Sequence, residues 1–187
     1  MNSIEENIKN TYDIIALDFN KTRIMIWKCV QNFINEIVDK ESFILDAGCG
    51  NGKNMLFLKN KGFVNIKGCD FSYSFIELCK SKYLNVEFGN LLNLPYETNL
   101  FDNIISIAVI HHLSTEEHRI KAISELLRVV KIGGQILITV SSFEFPFYKK
   151  MESLQQDLMI PWKTPKGDIL GTRYYYLFKE GELEKLC

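Results

Sequence analysis

The sequence predicts an α/β domain with a parallel sheet, and three observations carry that prediction. A short apolar run, Phe43 to Leu45, breaks into glycines at alternate positions, Gly48, Gly50 and Gly52, and a helical pattern of Met55, Leu56, Phe57 and Leu58 follows at once. The stretch 103–108 is almost wholly apolar, as in a parallel strand buried on both faces. Around these two, β-type and α-type patterns alternate with short loops.

In order, Ile4, Ile8, Tyr12 and Ile15 form a helical stripe near the N-terminus. A break at 18–21 follows, and Thr22 is expected to cap a second helix through Ile26, Val30, Phe33, Ile34 and Ile37. Tyr12, Arg23 and Trp27 are costly residues to leave on a plain surface, and they immediately precede the glycine turn. That turn is strand, glycines, helix, which brings backbone N–H groups to a place a ligand can approach without a Cβ in the way. Its spacing is GxGxG, with Lys53 where a dinucleotide-binding GxGxxG would have its third glycine. Asp46 just before it suits a ligand with a positive end, an ammonium or a sulfonium, better than a pyrophosphate.

Gly62 ends the helix after the turn, and Val64 to Cys69 reads as a second strand closing on Asp70. Asp70 follows Gly52 by 18 residues (70 − 52), near the spacing at which an acid at the next strand's tip meets ribose hydroxyls. Ser72 can cap a helix with Phe75, Ile76 and Cys79 on one face. Asn85 to Gly89 is a third strand, leading to a loop, Asn90 to Pro95, able to lie over a flat ring. Phe101 and Asp102 open the fourth strand, which runs into Val109, Ile110, His111 and His112. Ser114 and Glu117 make a capping box for a helix carrying Ile120, Ile123, Leu127 and Val130, with Gly133 and Gly134 expected to end it before a fifth strand, Gln135 to Ser141. From Phe143 to Cys187 the chain shows no clear strand and is rich in aromatics, Phe147, Tyr148, Trp162 and Tyr174 to Tyr176 among them; it reads as a lid or binding segment.

The 187 residues fit one domain, and 47% hydrophobic content is enough for a core. A net charge of -1, with both signs interspersed, argues against a free-standing nucleic-acid binder; such a substrate would need a local patch or a partner. Five cysteines without a CxxC pair read as buried thiols of a reducing compartment, with no metal site. The polar N-terminus and the lack of an apolar run near ~20 residues predict a soluble, cytoplasmic protein with no membrane association.

Taken together, Leu45-Asp-Ala-Gly-Cys-Gly-Asn-Gly52, Asp70, Pro95, Phe101 to Ser106 and the Gly133-Gly134 pair resemble class I S-adenosylmethionine-dependent methyltransferases over 41–142. The resemblance implies a Rossmann-like sheet in strand order 3-2-1-4-5. It implies that Gly48, Gly50 and Gly52 face the methionine part of S-adenosyl-L-methionine, with Asp46 near its ammonium and Asp70 on the ribose hydroxyls. Asn90 stands where the family usually has an Asp that accepts from the adenine amino group. Tyr12, Cys49, Phe71, Leu91 and Ile107 complete the expected cofactor set. The family normally adds a sixth and a reversed seventh strand to the sheet; here both are expected to be missing, leaving strand 5 as an open edge.

A narrower resemblance covers nearly the whole chain. Asp18 to Arg23 followed by Trp27, Ser106 to His112, Pro161-Trp162, and Arg173 to Tyr175 with Phe178 to Leu183 are similar to the tRNA wobble-uridine methyltransferases that esterify 5-carboxymethyluridine, including the methyltransferase half of AlkB-homologue fusion enzymes. This implies a tRNA anticodon loop as substrate and a small zinc-binding activator subunit as partner. A carboxylate needs no general base at neutral pH, so the enzyme's task would be to hold it in line. Arg23 and Arg173 are the arginines in the presumed lid segments, and one or the other is expected to grip the carboxylate or a neighbouring phosphate, with His111 and His112 lining the mouth. On this reading 1–40 are N-terminal helices, 41–142 the cofactor-binding core and 143–187 the substrate lid. A small-molecule methyltransferase and a silent cofactor-binding scaffold stand as alternatives.

Overall fold

The computed structural model describes residues 3–145, 148 and 155–187. The elements are α1 (Ser3–Thr22), α2 (Lys28–Glu36), β1 (Ile44–Ala47), α3 (Lys53–Asn60), β2 (Ile66–Asp70), α4 (Tyr73–Lys80), β3 (Val86–Phe88), β4 (Phe101–Ile107), a 3-10 turn (Ile110–His112), α5 (Glu116–Val129), β5 (Val130–Thr139), β6 (Asp157–Lys163), β7 (Ile169–Tyr176) and α6 (Glu182–Leu186). The first five strands form one parallel sheet in the order β3-β2-β1-β4-β5. The strand order reverses beside β1, so the loops leaving the C-terminal ends of β1 and β4 open a crevice there.

Side chains alternate across this sheet. Leu45, Ala47 and Ile104 pack with Ala122, Ile123, Leu126 and Val129 of α5. Ile44 and Ile105 turn the other way, onto Val30 and Ile34 of α2 and Leu58 of α3. Each such fully buried aliphatic side chain contributes roughly 1.5–3 kcal/mol. A separate cluster joins Ile8, Tyr12 and Ile15 of α1 to Phe75 of α4 and to Trp162 and Tyr174 of β6 and β7. The N-terminal helix and the C-terminal hairpin therefore fasten each other beside the crevice.

Several expectations are corrected. Helix α1 runs unbroken through 18–21, because that stretch has neither Gly nor Pro; Thr22 caps nothing ahead of it and its hydroxyl donates back to Asp18 O at 3.1 Å. Ile4 is exposed, and Glu5 takes an inward position. Thr115, not Ser114, caps α5, its Oγ1 accepting from His118 N–H at 3.1 Å. Ile120 and Leu127 face outward, one step off the buried stripe. Gly133 and Gly134 do not end the helix, which stops at Val129. They form a bulge inside β5 where the register to β4 shifts, and a Cβ on Gly134 would lie 2.5 Å from Asp102 O. Leu91 and Leu94 of the 90–95 loop are core residues. Of the five thiols, all free, Cys29 and Cys187 are exposed.

The largest correction is the C-terminal region, where β6 and β7 pair as an antiparallel hairpin in a sheet of their own. Pro161 sits in β6 with no N–H to give the ladder, and β7 is half covered on both faces, so neither strand shows the alternation that marks one in a sequence. Phe147 lies outside the described residues. Among the described residues, β5 pairs along its length with β4; just past its end Ser142 and Phe178 form a parallel bridge. No helix among the described residues is long and apolar enough to cross a membrane.

Candidate active site

The turn after β1 is built by glycines in left-handed conformations, Gly48 at φ +80° and Gly52 at +74°. At Gly52 a side chain is excluded twice over, since a Cβ would lie 2.4 Å from Leu84 Cδ1 and 2.9 Å from Cys79 Sγ. The turn is tied to the next strand by Asp70, whose carboxylate accepts from Gly50 N–H at 2.8 Å and from Ser72 N–H at 2.9 Å. Despite these bonds, burial raises Asp70 to about 6. Asp46 is fully buried, and neither of its oxygens has a hydrogen-bond partner among the described residues. Burial and then the charge of Asp70 push it up to about 7, against the pull of Lys53.

A cavity of about 920 Å³ opens from this turn, lined on one side by Gly48, Cys49, Gly50, Asp70, Phe71, Asn90, Leu91 and Ile107. Tyr12 and Arg23 line it from the N-terminal segment, His111 and His112 from the turn after β4, and Arg173 from β7. The expected set is thus gathered in one space except for two members. Asp46 is enclosed one residue before the turn, and Gly52 packs on Leu84 and Cys79 in place of facing the cavity. Asn90 is engaged locally, its Oδ1 accepting from Leu92 N–H at 2.9 Å.

Hydrogen bonds define the state of the histidine pair. His112 Nδ1 lies 2.7 Å from the Tyr174 carbonyl, which can only accept, so Nδ1 carries the proton and Nε2 accepts from the Tyr12 hydroxyl at 2.7 Å. His111 Nδ1 accepts from Ser141 N–H at 3.0 Å, which places its proton on Nε2. Burial lowers His112 to about 4 and His111 well below its ordinary value, so both rings are neutral at pH 7. Burial also keeps the Tyr12 phenol protonated.

Arg173 is 93% enclosed, with a relative exposure of 7%, and has no ion-pair partner among the described residues. Its Nη1 donates to Tyr175 Oη at 3.0 Å, its Nε is unpartnered, and its guanidinium stands 4.9 Å from the Trp162 ring centroid. Arg119 and Arg128 are occupied elsewhere: Arg119 lies 3.6 Å from the Tyr176 ring and bonds Leu113 O, and Arg128 holds Glu125 and the carbonyls of Leu94 and Tyr96.

Sequence reasoning missed Glu5, Asn51, Lys53 and Tyr175 as lining residues. For Lys53 a signal existed, as it follows the third glycine directly; for Glu5, held by His118 Nδ1 at 2.5 Å from α5, none did. Ala108 was missed too: it lines the cavity with φ +61°, a conformation that costs a non-glycine residue energy and is held by two contacts of its N–H to Thr139.

This sheet order, glycine turn and cavity define a Rossmann-like domain with its ligand crevice at the strand-order reversal. The methyltransferase domain family matches residues 45–138. The tRNA (carboxymethyluridine(34)-5-O)-methyltransferase of Arabidopsis thaliana is 47% identical over 137 residues, 73% of this chain and 33% of that protein. The enzyme of the same name from Schizosaccharomyces pombe is 32% identical over 201 residues, 97% of this chain and 86% of that one. The fold is similar to that of DhpI in its SAM–HEP complex, with TM-score 0.73 at 12% identity, covering 99% of this chain and 87% of that chain. It is also similar to a methyltransferase seen in complex with the Haloferax volcanii Trm112 methyltransferase activator, with TM-score 0.60 at 20% identity, covering 70% and 60%. The chain belongs to the methyltransferase family that includes the tRNA (carboxymethyluridine(34)-5-O)-methyltransferases. It spans about a third of the length of several curated relatives, those of Arabidopsis thaliana, Xenopus tropicalis and Bos taurus.

Proposed function

We propose that the protein is an S-adenosylmethionine-dependent tRNA methyltransferase that converts the carboxylate of 5-carboxymethyluridine at the wobble position to its methyl ester. The relatives that carry this name support the reading. The observation in the site that carries it is Arg173, a buried guanidinium in the cavity with no anion of its own among the described residues. A buried, unpaired cation is unfavourable unless an anion joins it. A substrate carboxylate is an anion of the right kind, and a planar fork holds it bidentately.

The residues fit S-adenosyl-L-methionine. The buried Asp46 carboxylate, unpaired among the described residues, suits an ammonium group nearby, Asp70 and Asn90 suit a ribose and an adenine, and the open backbone at Gly50, where a Cβ would meet nothing nearer than Phe19 at 3.9 Å, suits close approach. When bound, the cofactor supplies an electrophilic methyl on a sulfonium. The substrate carboxylate is ionised near pH 7, so no residue has to remove a proton. Arg173 holds the carboxylate, and the neutral His111 offers Nε2–H as a second donor. Tyr12, His112 and Tyr174 keep the pocket wall rigid, and the β6–β7 hairpin with α1 excludes water. With Arg173 and His111 holding the carboxylate, one of its oxygens would be the atom that accepts the methyl, and the cofactor would depart as the neutral thioether.

A cytoplasmic location and a small zinc-binding activator subunit belong to the same reading. The structural neighbour seen with the Trm112 methyltransferase activator supports an activator as partner. Mass spectrometry of tRNA nucleosides after incubation with the protein, with and without an activator, and S-adenosylmethionine tests the proposal. Appearance of the carboxymethyluridine methyl ester is expected; its absence from tRNA rich in the free acid overturns the reading.

A further inference from the structure

The segment joining α1 to α2, residues 23–27, is not helical, yet it is held in three places. Lys53 Nζ donates to Met25 O at 2.8 Å, Gln31 Nε2 to Ile26 O at 2.9 Å and Asn51 Nδ2 to Arg23 O at 3.1 Å. This rigid segment nevertheless shows its apolar side chains to solvent, Ile24 and Met25 among them. Trp27 is 43% exposed at the edge of the cavity, whereas Trp162, the second of two tryptophans, is 6% exposed. One cation stands over Trp27 and two more share its cavity. Lys53 Nζ lies 5.7 Å from its ring centroid, and Lys28 and Arg23 line the same rim. From residue 19 to residue 35 the chain has three cations, Lys21, Arg23 and Lys28, and no acid. Trp27 itself is the N-cap of α2 and offers no side-chain cap, so the first N–H groups of that helix add positive potential.

A half-exposed indole has ring surface free to stack, and the chain segment that carries it, residues 19–35, has cations and no acid. Aromatic platforms flanked by cations are how proteins take single-stranded nucleic acid, with the base on the ring and the phosphate on the cations. We propose that Trp27, Lys28 and Lys53 form a second nucleotide subsite, which stacks a base adjacent to the target uridine and holds its phosphate. The inference rests on the tRNA reading above and deepens it: the cavity takes the reacting base, and the shelf at its rim takes its neighbour in the single-stranded loop. It also explains how a chain of net charge -1 engages RNA, through one local patch.

The test compares an anticodon stem–loop RNA bearing 5-carboxymethyluridine with the free nucleoside, using the full chain and the variants W27A, W27F and K28A. Stacking is worth about 1–3 kcal/mol per base. W27A is therefore expected to raise KM for the stem–loop roughly five- to 150-fold, at unchanged kcat. Turnover of the free nucleoside and affinity for S-adenosylhomocysteine stay at parent values, and W27F restores the stem–loop KM. K28A is expected to lower the slope of log K against log salt by about 0.7. A stem–loop KM unchanged in W27A overturns the proposal. So does an equal loss with the nucleoside or in S-adenosylhomocysteine affinity, which would put Trp27 in the acceptor or cofactor pocket. Should the parent methylate neither substrate, the tRNA reading fails on its own, and direct binding then judges the shelf: quenching of tryptophan emission by a single-stranded oligouridylate, lost in W27A, supports it, and no quenching in the parent overturns it.

Discussion

Arg23 and Arg173, far apart in the chain, stand over the same indole: their guanidinium carbons lie 5.1 Å and 4.9 Å from the ring centroid of Trp162. The π-face of the indole favours each cation. On the proposed reading, an anion entering the cavity that both arginines line would be met by both. Arg173 is the deeper of the two, and its partner Tyr175 stacks on His111 with ring centroids 4.8 Å apart.

The first prediction separates charge from shape. Arg173→Lys keeps the cation and loses the planar fork, so turnover should fall roughly ten- to hundredfold, the worth of one or two charge-assisted hydrogen bonds. Affinity for S-adenosylhomocysteine should not move. Steady-state kinetics with carboxymethyluridine-containing tRNA, beside calorimetric titration of S-adenosylhomocysteine, checks it. Parent turnover in the Lys variant would exclude Arg173 as the carboxylate clamp.

The second concerns Asp46. Its carboxyl titrates near 7 because it is buried and unpaired. A nearby ammonium stabilises the ionised form, so cofactor binding should release a proton below that pH. Affinity for S-adenosylhomocysteine should accordingly rise from pH 6 to pH 8 and level off above. The raised folded value also has a stability consequence: between the ordinary carboxylate range and about 7 the folded state binds the extra proton, so this group's contribution to stability is lost as pH rises through that window. In Asp46→Asn both dependences should flatten. Titrations at several pH values, with parallel melting curves, provide the measurement.

What could be read in the sequence follows from how local each feature is. The glycine turn, Asp70 and the apolar β4 owe their form to neighbouring residues, so spacing reveals them. The Ser72 cap is local too, and its Oγ does accept from Phe75 N–H. Helix ends set by tertiary fit were not legible: α1 continues past Asp18 because its inner face still packs on Phe75, and α5 rotates so that Leu126 and not Leu127 meets the sheet. The β6–β7 hairpin was hidden because α1 covers it, erasing the alternation of a one-sided strand. The site residues were legible as kinds, since arginines and histidines are sparse in this chain. That His112 is bonded by both Tyr12 and Tyr174 O could be seen only once the chain ends were brought together.

The third prediction uses that His112 bridge. With its folded value lowered to about 4, His112 binds a proton in the unfolded chain at higher pH than in the folded one. Its contribution to stability is complete above about 6.5 and is lost as pH falls toward 4. With S-adenosylmethionine saturating at every pH, so that the Asp46 effect on affinity drops out, the activity profile should therefore show no rise with a histidine pKa near 6.5, as a general base would give. An ascending limb at that pH, abolished in His112→Gln, would overturn the neutral-wall role.

The last prediction tests the turn by a residue that never touches the cavity. Gly52 has φ +74°, and a methyl there meets Leu84 Cδ1 at 2.4 Å and Cys79 Sγ at 2.9 Å. The left-handed backbone costs a non-glycine residue about 1–2 kcal/mol, and overpacking about 1–3 kcal/mol more. Gly52→Ala should thus destabilise by at least about 2 kcal/mol, lowering the melting temperature by roughly 4–8 °C for a chain of this size. The two causes can be told apart. Leu84→Ala removes the nearer obstacle and leaves Cys79 Sγ, so in the double variant part of the steric cost should be recovered while the backbone part persists, giving a cost smaller than the sum of the single changes. Cofactor affinity should fall in Gly52→Ala and recover in part alongside stability, because Gly52 leads directly into Lys53 and α3 while Gly50, two residues back, is bonded to Asp70. Full additivity of the two substitutions in thermal melts would show that Leu84 does not limit this position and that the turn has shifted to admit the methyl.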